Sequence, residues 1–163
     1  MILLADANIL ITLHDVGGVP ILPQLGDIEI LDLVFLECDH ASQPDLTGVI
    51  IESGIRVVET QHHWMQPAQN YQEGALSFAD ALCLYYAKEH NRTLISGDKP
   101  LRNRCQAENV NFLGLLWIIR QTYERGLLPA ADLCRWIQDW TYLNRRLPPT
   151  EMAAIETDLG CKN

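Results

Sequence analysis

The 163-residue sequence is short of positive charge in its first half. Residues 1–87 hold one base, Arg56, against twelve acids, while residues 88–163 hold eleven bases against nine acids. With a formal net charge of −9, the chain is a poor candidate for loose, sequence-indifferent nucleic-acid binding, which runs on neutralising phosphates. Long apolar runs are also missing. Charge breaks every stretch within about a dozen residues, too few for a membrane span of about 20. No basic leader precedes Asp6, so no secretory signal is expected. Five cysteines (Cys38, Cys83, Cys105, Cys134 and Cys161) include no Cys-x-x-Cys pair. Their odd number argues against a disulfide framework or a zinc ribbon. Cys83 and Cys134 read as small buried thiols, and a reducing cytoplasm is the expected setting. Internal repeats and low-complexity segments are absent too. What remains is ample apolar material, 48% of the residues, enough for one domain with a sizeable core.

Strand and helix signals alternate along the chain. Ile2-Leu3-Leu4-Ala5 is a short apolar run, expected as a buried strand, with a helix over residues 9–14 that Gly17-Gly18-Val19-Pro20 ends. Strands are expected at 28–31, 55–59, 93–96 and 110–113. Helices are expected at 33–39, 44–53, 77–91, 99–107, 115–125, 130–143 and 149–157, and residues 61–74 as a loop or irregular helical entry. This order implies an α/β domain with a mainly parallel sheet covered on both faces. Ligands in such sheets bind beyond the carboxyl ends of the strands. Asp6 and Asp98 each follow a strand directly, so both are expected in one crevice.

Four acids form the candidate site: Asp6, Glu37, Asp80 and Asp98. Each has an ordinary explanation. Asp6 is placed to cap the first helix, although Asn8 is a rival cap. Ser77-Phe78-Ala79-Asp80 has capping-box spacing. Asp98 sits in Gly97-Asp98-Lys99-Pro100, a turn sequence. Glu37 reads as a solvated helix face, with Asp39 and Glu52 as neighbouring competitors. Taken together, four acids near the ends of separate core elements form an oxygen-rich set suited to Mg²⁺ or Mn²⁺. Clustered carboxylates raise one another's pKa values, and a divalent cation removes that conflict.

The order and surroundings of these acids resemble the PIN-domain nucleases, particularly the VapC-type toxins of bacterial and archaeal toxin–antitoxin pairs. The likeness rests on Asp6-x-Asn8 after the opening strand, Glu37 in an early helix, Leu76-Ser77-x-x-Asp80-Ala81, and Leu94-Ile95-Ser96-Gly97-Asp98-Lys99-x-Leu101-Arg102. It covers residues 1–128; residues 129–163 form a helical extension, packed on the same domain or at an interface. The resemblance implies a three-layer α/β/α sandwich and Mg²⁺ or Mn²⁺ bound by Asp6, Glu37, Asp80 and Asp98. Asn8 and Ser96 would support the ligands or a water. The implied activity is hydrolysis of RNA by a metal-activated water. An antitoxin protein and a homodimer are the implied partners, with no membrane association.

Lys99, Arg102 and Arg104 follow Asp98 directly and are the expected phosphate contacts, with Arg120 and Arg125 as further candidates. Trp64, Tyr71 and His62-His63 are candidates for stacking on bases. Leu133, Trp136, Ile137 and Trp140 fall at helical spacing, as a core or an interface would require. Two other readings compete: a PIN-like interaction module without activity, and a receiver-type phosphorylation domain. The second lacks the expected adjacent acidic pair near the first strand.

Overall fold

A computed structural model describes residues 1–40, 42–145 and 147–162. The first strand, β1 (Ile2–Ala5), is followed by α1 (Ala7–His14). A 3-10 turn at Val19–Ile21 leads into the short α2 (Leu22–Leu25), where the sequence suggested only a helix end. Next come β2 (Asp27–Leu31), α3 (Asp32–Cys38), α4 (Leu46–Glu52) and β3 (Arg56–Val58). The segment expected as loop or irregular helix holds a 3-10 turn, His62–Trp64, and α5 (Met65–Gln69). It leads to α6 (Phe78–His90), β4 (Thr93–Ile95), α7 (Lys99–Ala107) and β5 (Phe112–Leu113). Three helices complete the chain: α8 (Leu115–Glu124), α9 (Ala130–Tyr142) and α10 (Pro149–Leu159).

All strand pairings are parallel, in the order β3-β2-β1-β4-β5. Helices on both faces cover the sheet, giving the expected PIN-like α/β/α sandwich. Strand order reverses at β1, with β2 on one side and β4 on the other. The carboxyl ends of β1 and β4 therefore flank the topological switch point, where open α/β sheets leave a crevice. Leu3, Leu4, Ala5, Leu94 and Ile95 are buried, as central parallel strands covered on both faces require.

One charge lies inside this sheet. Glu29 of β2 is 2% exposed. It accepts hydrogen bonds from Arg92 Nε at 2.7 Å and Tyr86 Oη at 3.0 Å, and it is paired with Arg56. Burial opposes its charge, but the hydrogen bonds from Arg92, Tyr86 and Arg56 outweigh it and hold the carboxyl below its ordinary value. This network ties the centre of the sheet to α6 and to the start of β4.

The C-terminal helices fold back on their own domain. The Trp140 indole donates to the Thr12 carbonyl of α1 at 2.7 Å, and Arg145 bonds both Asp15 oxygens, at 2.7 and 3.0 Å. Trp136 occupies space that Gly18 leaves open; a Cβ there would lie 2.8 Å from the ring. Leu133, Trp136, Ile137 and Trp140 are all buried in this way. Their apolar stripe is core, so it does not supply a dimer surface.

The cysteine expectation is corrected. Cys134 is joined to Cys161 by a disulfide, with Cα atoms 5.6 Å apart. A 27-residue separation and an odd count hid the pair, which only the packing of α9 beside the end of α10 brings together. Cys38, Cys83 and Cys105 are free and buried. Closing a loop of that length is expected to contribute about 2–4 kcal/mol. Cys161→Ser, or reduction of the wild type, should lower unfolding stability by that amount in a denaturant titration. No change would mean the tail is held by packing alone.

Candidate active site

Three helix N-termini meet at the switch point. α1 begins where β1 ends, and α7 begins where β4 ends. α6 runs back to the start of β4, so its own N-terminus also lies at the carboxyl edge. An aspartate serves each of these ends. Asp6 Oδ1 accepts from Ile9 N at 2.9 Å, capping α1. Asp98 Oδ2 accepts from Leu101 N at 3.2 Å, capping α7. Asp80 and Ser77 form a reciprocal capping box on α6, with Ser77 N donating to Asp80 Oδ2 at 3.1 Å. The capping explanation therefore holds for all three. Each carboxylate gives one oxygen to a helix end, which keeps the other oxygen in a fixed place. Asn8 is not the rival cap. It lies inside α1, where its Oδ1 faces the Thr12 hydroxyl at 3.5 Å.

The charges of these groups act on one another. Asp6 is 4% exposed, and its pKa is pushed up to about 7. Burial is the main cause. Hydrogen bonds from Ser96 and Ile9 pull the value down, while the charges of Asp80 and Asp98 add to the rise. The Asp80 carboxyl is also raised, first by burial against its Ser77 hydrogen bonds, then by Asp98. Glu37, on the exposed side of α3, is raised by partial burial and by the Asp80 charge. Asp6, Asp80 and Asp98 thus form one interacting set, and Glu37 joins it through Asp80. Beneath it, burial pushes the Cys38 and Cys105 thiols up to about 12 and raises the Cys83 thiol as well, with Asp6 contributing in each case. These thiols are neutral packing groups rather than nucleophiles.

Ser96 is fully buried and links two members of the set. Its Oγ accepts from Asp98 N at 3.0 Å, while its hydroxyl hydrogen bonds the Asp6 carboxylate. Ser96→Ala removes the donor that lowers the Asp6 pKa. We expect divalent-ion affinity to fall about 10- to 100-fold, measurable by calorimetric titration with Mn²⁺. An unchanged affinity would remove Ser96 from the account.

The donor set is chemically suited to a hard divalent cation: carboxylate oxygens, mutual repulsion, and helix N-termini that hold the carboxylates in place. Among the described residues, no group of three or more His, Cys, Asp or Glu side chains is placed to hold a metal ion by itself. Mg²⁺ does not require a full protein cage; it keeps several waters and binds through one or two carboxylates plus substrate phosphate.

Two of the cations that the sequence offered remain beside Asp98. Lys99 and Arg102 open α7 and make no ion pair among the described residues, and Arg102 sits 5.3 Å from the Phe112 ring centroid. The others are occupied. Arg104 pairs with Glu73 and Glu108, Arg120 with Asp158, and Arg125 bonds the Gln24 and Leu25 carbonyls. Trp64 is likewise not a free stacking platform. It is buried against Tyr86 and His90, with ring centroids 5.2 and 5.4 Å away. Tyr71 lies under Lys88 and Arg104, each 5.9 Å from its ring.

A parallel sheet of order 3-2-1-4-5 with aspartates after β1 and β4, and at the N-terminus of the helix before β4, defines the PIN-domain class. The chain belongs to that family: a family model, DUF3368, a PIN domain, matches residues 2–159. PIN domains are generally nucleases. No curated protein matches the sequence. Among solved structures, the fold is similar to a PilT N-terminus domain protein from the hyperthermophilic archaeon Sulfolobus solfataricus P2. That match has a TM-score of 0.57 and 17% identity, and covers 75% of this chain and 93% of that one. No helix among the described residues is long and apolar enough to cross a membrane.

Proposed function

We propose that this PIN domain is a divalent-metal-dependent endoribonuclease, acting through Asp6, Asp80 and Asp98 with Glu37 at the edge of the set. The observation that carries the reading is the electrostatic meeting of the three aspartates at the switch point, with Asp6 paying a large burial penalty. A carboxylate placed there at such cost is explained by a cation it must hold. A bound Mg²⁺ or Mn²⁺ supplies positive charge to the scissile phosphate and makes a coordinated water easier to deprotonate. The chain's own residues do the rest. Asp6, Asp80 and Asp98 are the residues that would hold the ion, and Ser96 orients Asp6 and lowers its pKa against the rise that burial imposes. Lys99 and Arg102 hold phosphates next to the cleavage point.

We further propose that the chain is the toxin of a toxin–antitoxin pair acting in the cytoplasm. Its acidic crevice suits an inhibitor that inserts an Arg or Lys side chain. The Cys134–Cys161 bridge fits that compartment only where intracellular disulfides persist, as in hyperthermophiles. The test is expression from a tight promoter. Wild type should arrest growth, Asp98→Asn should not, and a small basic-tailed protein encoded beside the gene should relieve the arrest. Growth unaffected by folded wild type would remove the toxin role.

The competing reading is an inactive interaction module. The Asp80 capping box favours it, since that carboxylate has structural work without chemistry. Under that reading Asp80→Ser, which weakens the capping box, costs stability and nothing else. Under ours it also abolishes cleavage by the fraction that remains folded.

A further inference from the structure

A groove of about 860 Å³ starts at Asp98 and leads away from it. Lys99, Arg102 and Gln106 of α7 form its near side. Phe112 and Leu116 contribute apolar surface. Its far side comes from the C-terminal extension, through Asn144, Leu147 and Pro148. A second cavity, of about 590 Å³, lies between α9 and α10 and does not touch the carboxylates.

The lining has three chemical parts. Lys99 and Arg102 are cations without a carboxylate partner among the described residues, positioned nearest Asp98. Side-chain amides of Asn103, Gln106 and Asn144 offer both donors and acceptors. Between them lie flat or apolar surfaces. This is the composition that an unpaired nucleotide needs: phosphate on cations, base edge on amides, base face on apolar groups. One acid, Glu151, also lines the groove, on the tail side and away from the cations' helix. The volume falls in the ~300–1,000 Å³ range of small-molecule sites. It therefore accommodates one or two nucleotides, with the rest of the strand outside.

We infer that this groove seats the single RNA strand beside the scissile phosphate, and that the C-terminal extension, through Asn144, is the side that reads its sequence. The inference rests on the nuclease reading for its strand, and adds where the strand lies and what discriminates it. The extension is then more than a brace. Its attachment to α1, through Trp140–Thr12 and Arg145–Asp15, fixes the reading side relative to Asp98.

Asn144 offers a clean variant. It adopts φ +59° at the end of α9, a left-handed conformation that glycine adopts without strain. Asn144→Gly therefore removes the amide and leaves the backbone as it is. The experiment measures fluorescence anisotropy of full-length protein with a panel of labelled single-stranded RNA octamers in EDTA, alongside cleavage-site mapping with Mn²⁺. Arg102→Gln should weaken binding to every octamer, about tenfold, with a shallower salt dependence. Asn144→Gly should change the rank order of the octamers, by about 5- to 100-fold at one nucleotide position, and alter the mapped cleavage sites. Its melting temperature should not change. If wild type binds and cuts RNA but Asn144→Gly keeps the same ranking and sites, the tail does not read the strand and this inference falls alone. If wild type neither binds nor cuts any octamer, the nuclease reading falls with it.

Discussion

Asp6→Asn should abolish RNA cleavage and, in the same protein, raise stability when no metal is present. The two effects share one cause. Asn keeps an oxygen for the Ile9 amide, so the α1 cap survives. It has no charge to bury, so the penalty that raises Asp6 to about 7 disappears. The sign follows from linkage. A carboxyl that holds its proton more tightly when folded weakens folding as pH rises from its unfolded value of 3.8 to its folded value of about 7. Its stability contribution is intact below pH 4 and lost above pH 7. At ~1.36 kcal/mol per unit, the loss approaches about 4 kcal/mol. In EDTA at pH 8, Asp6→Asn should therefore be the more stable protein by up to about 4 kcal/mol. At pH 4 the two should be nearly equal. Mg²⁺ or Mn²⁺ should stabilise the wild type and leave the variant unmoved. Cleavage should fall by roughly 10²–10³-fold or more, the scale of losing one preorganised electrostatic group. Loss of cleavage accompanied by destabilisation at pH 8 would mean that Asp6 is a cap and little else.

Glu29→Ala should produce the largest loss of stability of any single change considered. Glu29 is buried with three donors aimed at it. Removing it strands Arg92, which is 20% exposed, and leaves the Tyr86 hydroxyl without its acceptor. Breaking a buried pair from one side costs about 3–5 kcal/mol. Arg92→Ala should cost nearly as much, because it leaves the carboxylate uncompensated. Arg56→Ala should cost below about 1 kcal/mol, since that side chain is 62% exposed and its pair is screened. Equal losses for Arg56 and Arg92 would show that burial does not rank them. The Glu29 contribution is present above the ordinary carboxylate range and is lost as pH falls, opposite in direction to that of Asp6. The metal-free protein is therefore expected to be most stable at mildly acidic pH.

Residues that act locally were legible in the sequence. β1 and β4 could be read because central parallel strands are uninterrupted apolar runs. Asp6 and Asp98 could be placed because they follow those runs directly. Ser77-x-x-Asp80 announced both a helix start and its acid. The features that escaped depend on partners far along the chain. Nothing local marks Glu29 as a buried charge, because its partner Arg92 lies 63 residues on. α2 is four residues long with Pro23 in its first turn, too short to display a period. The disulfide needed α9 and α10 to meet. The cations needed their partners. Arg104, Arg120 and Arg125 read like Lys99 and Arg102 until Glu73, Asp158 and the α2 carbonyls are brought beside them. The groove was invisible for the same reason, since its far side is assembled from residues more than forty positions beyond Asp98.

If the aspartates at the switch point hold a cation that cuts RNA, cleavage must depend on both the metal and the carboxylates. The most direct measurement is cleavage of a labelled single-stranded RNA panel by inhibitor-free protein, with Mn²⁺, Mg²⁺ or EDTA, comparing wild type with Asp98→Asn. Asparagine preserves the cap on α7, so the variant should fold normally. Wild type should cut in a metal-dependent way that EDTA abolishes and that Asp98→Asn lacks. Cutting that persists in EDTA, or equally in Asp98→Asn, would contradict this reading of the aspartates, as would the absence of cutting by well-folded wild type in either metal.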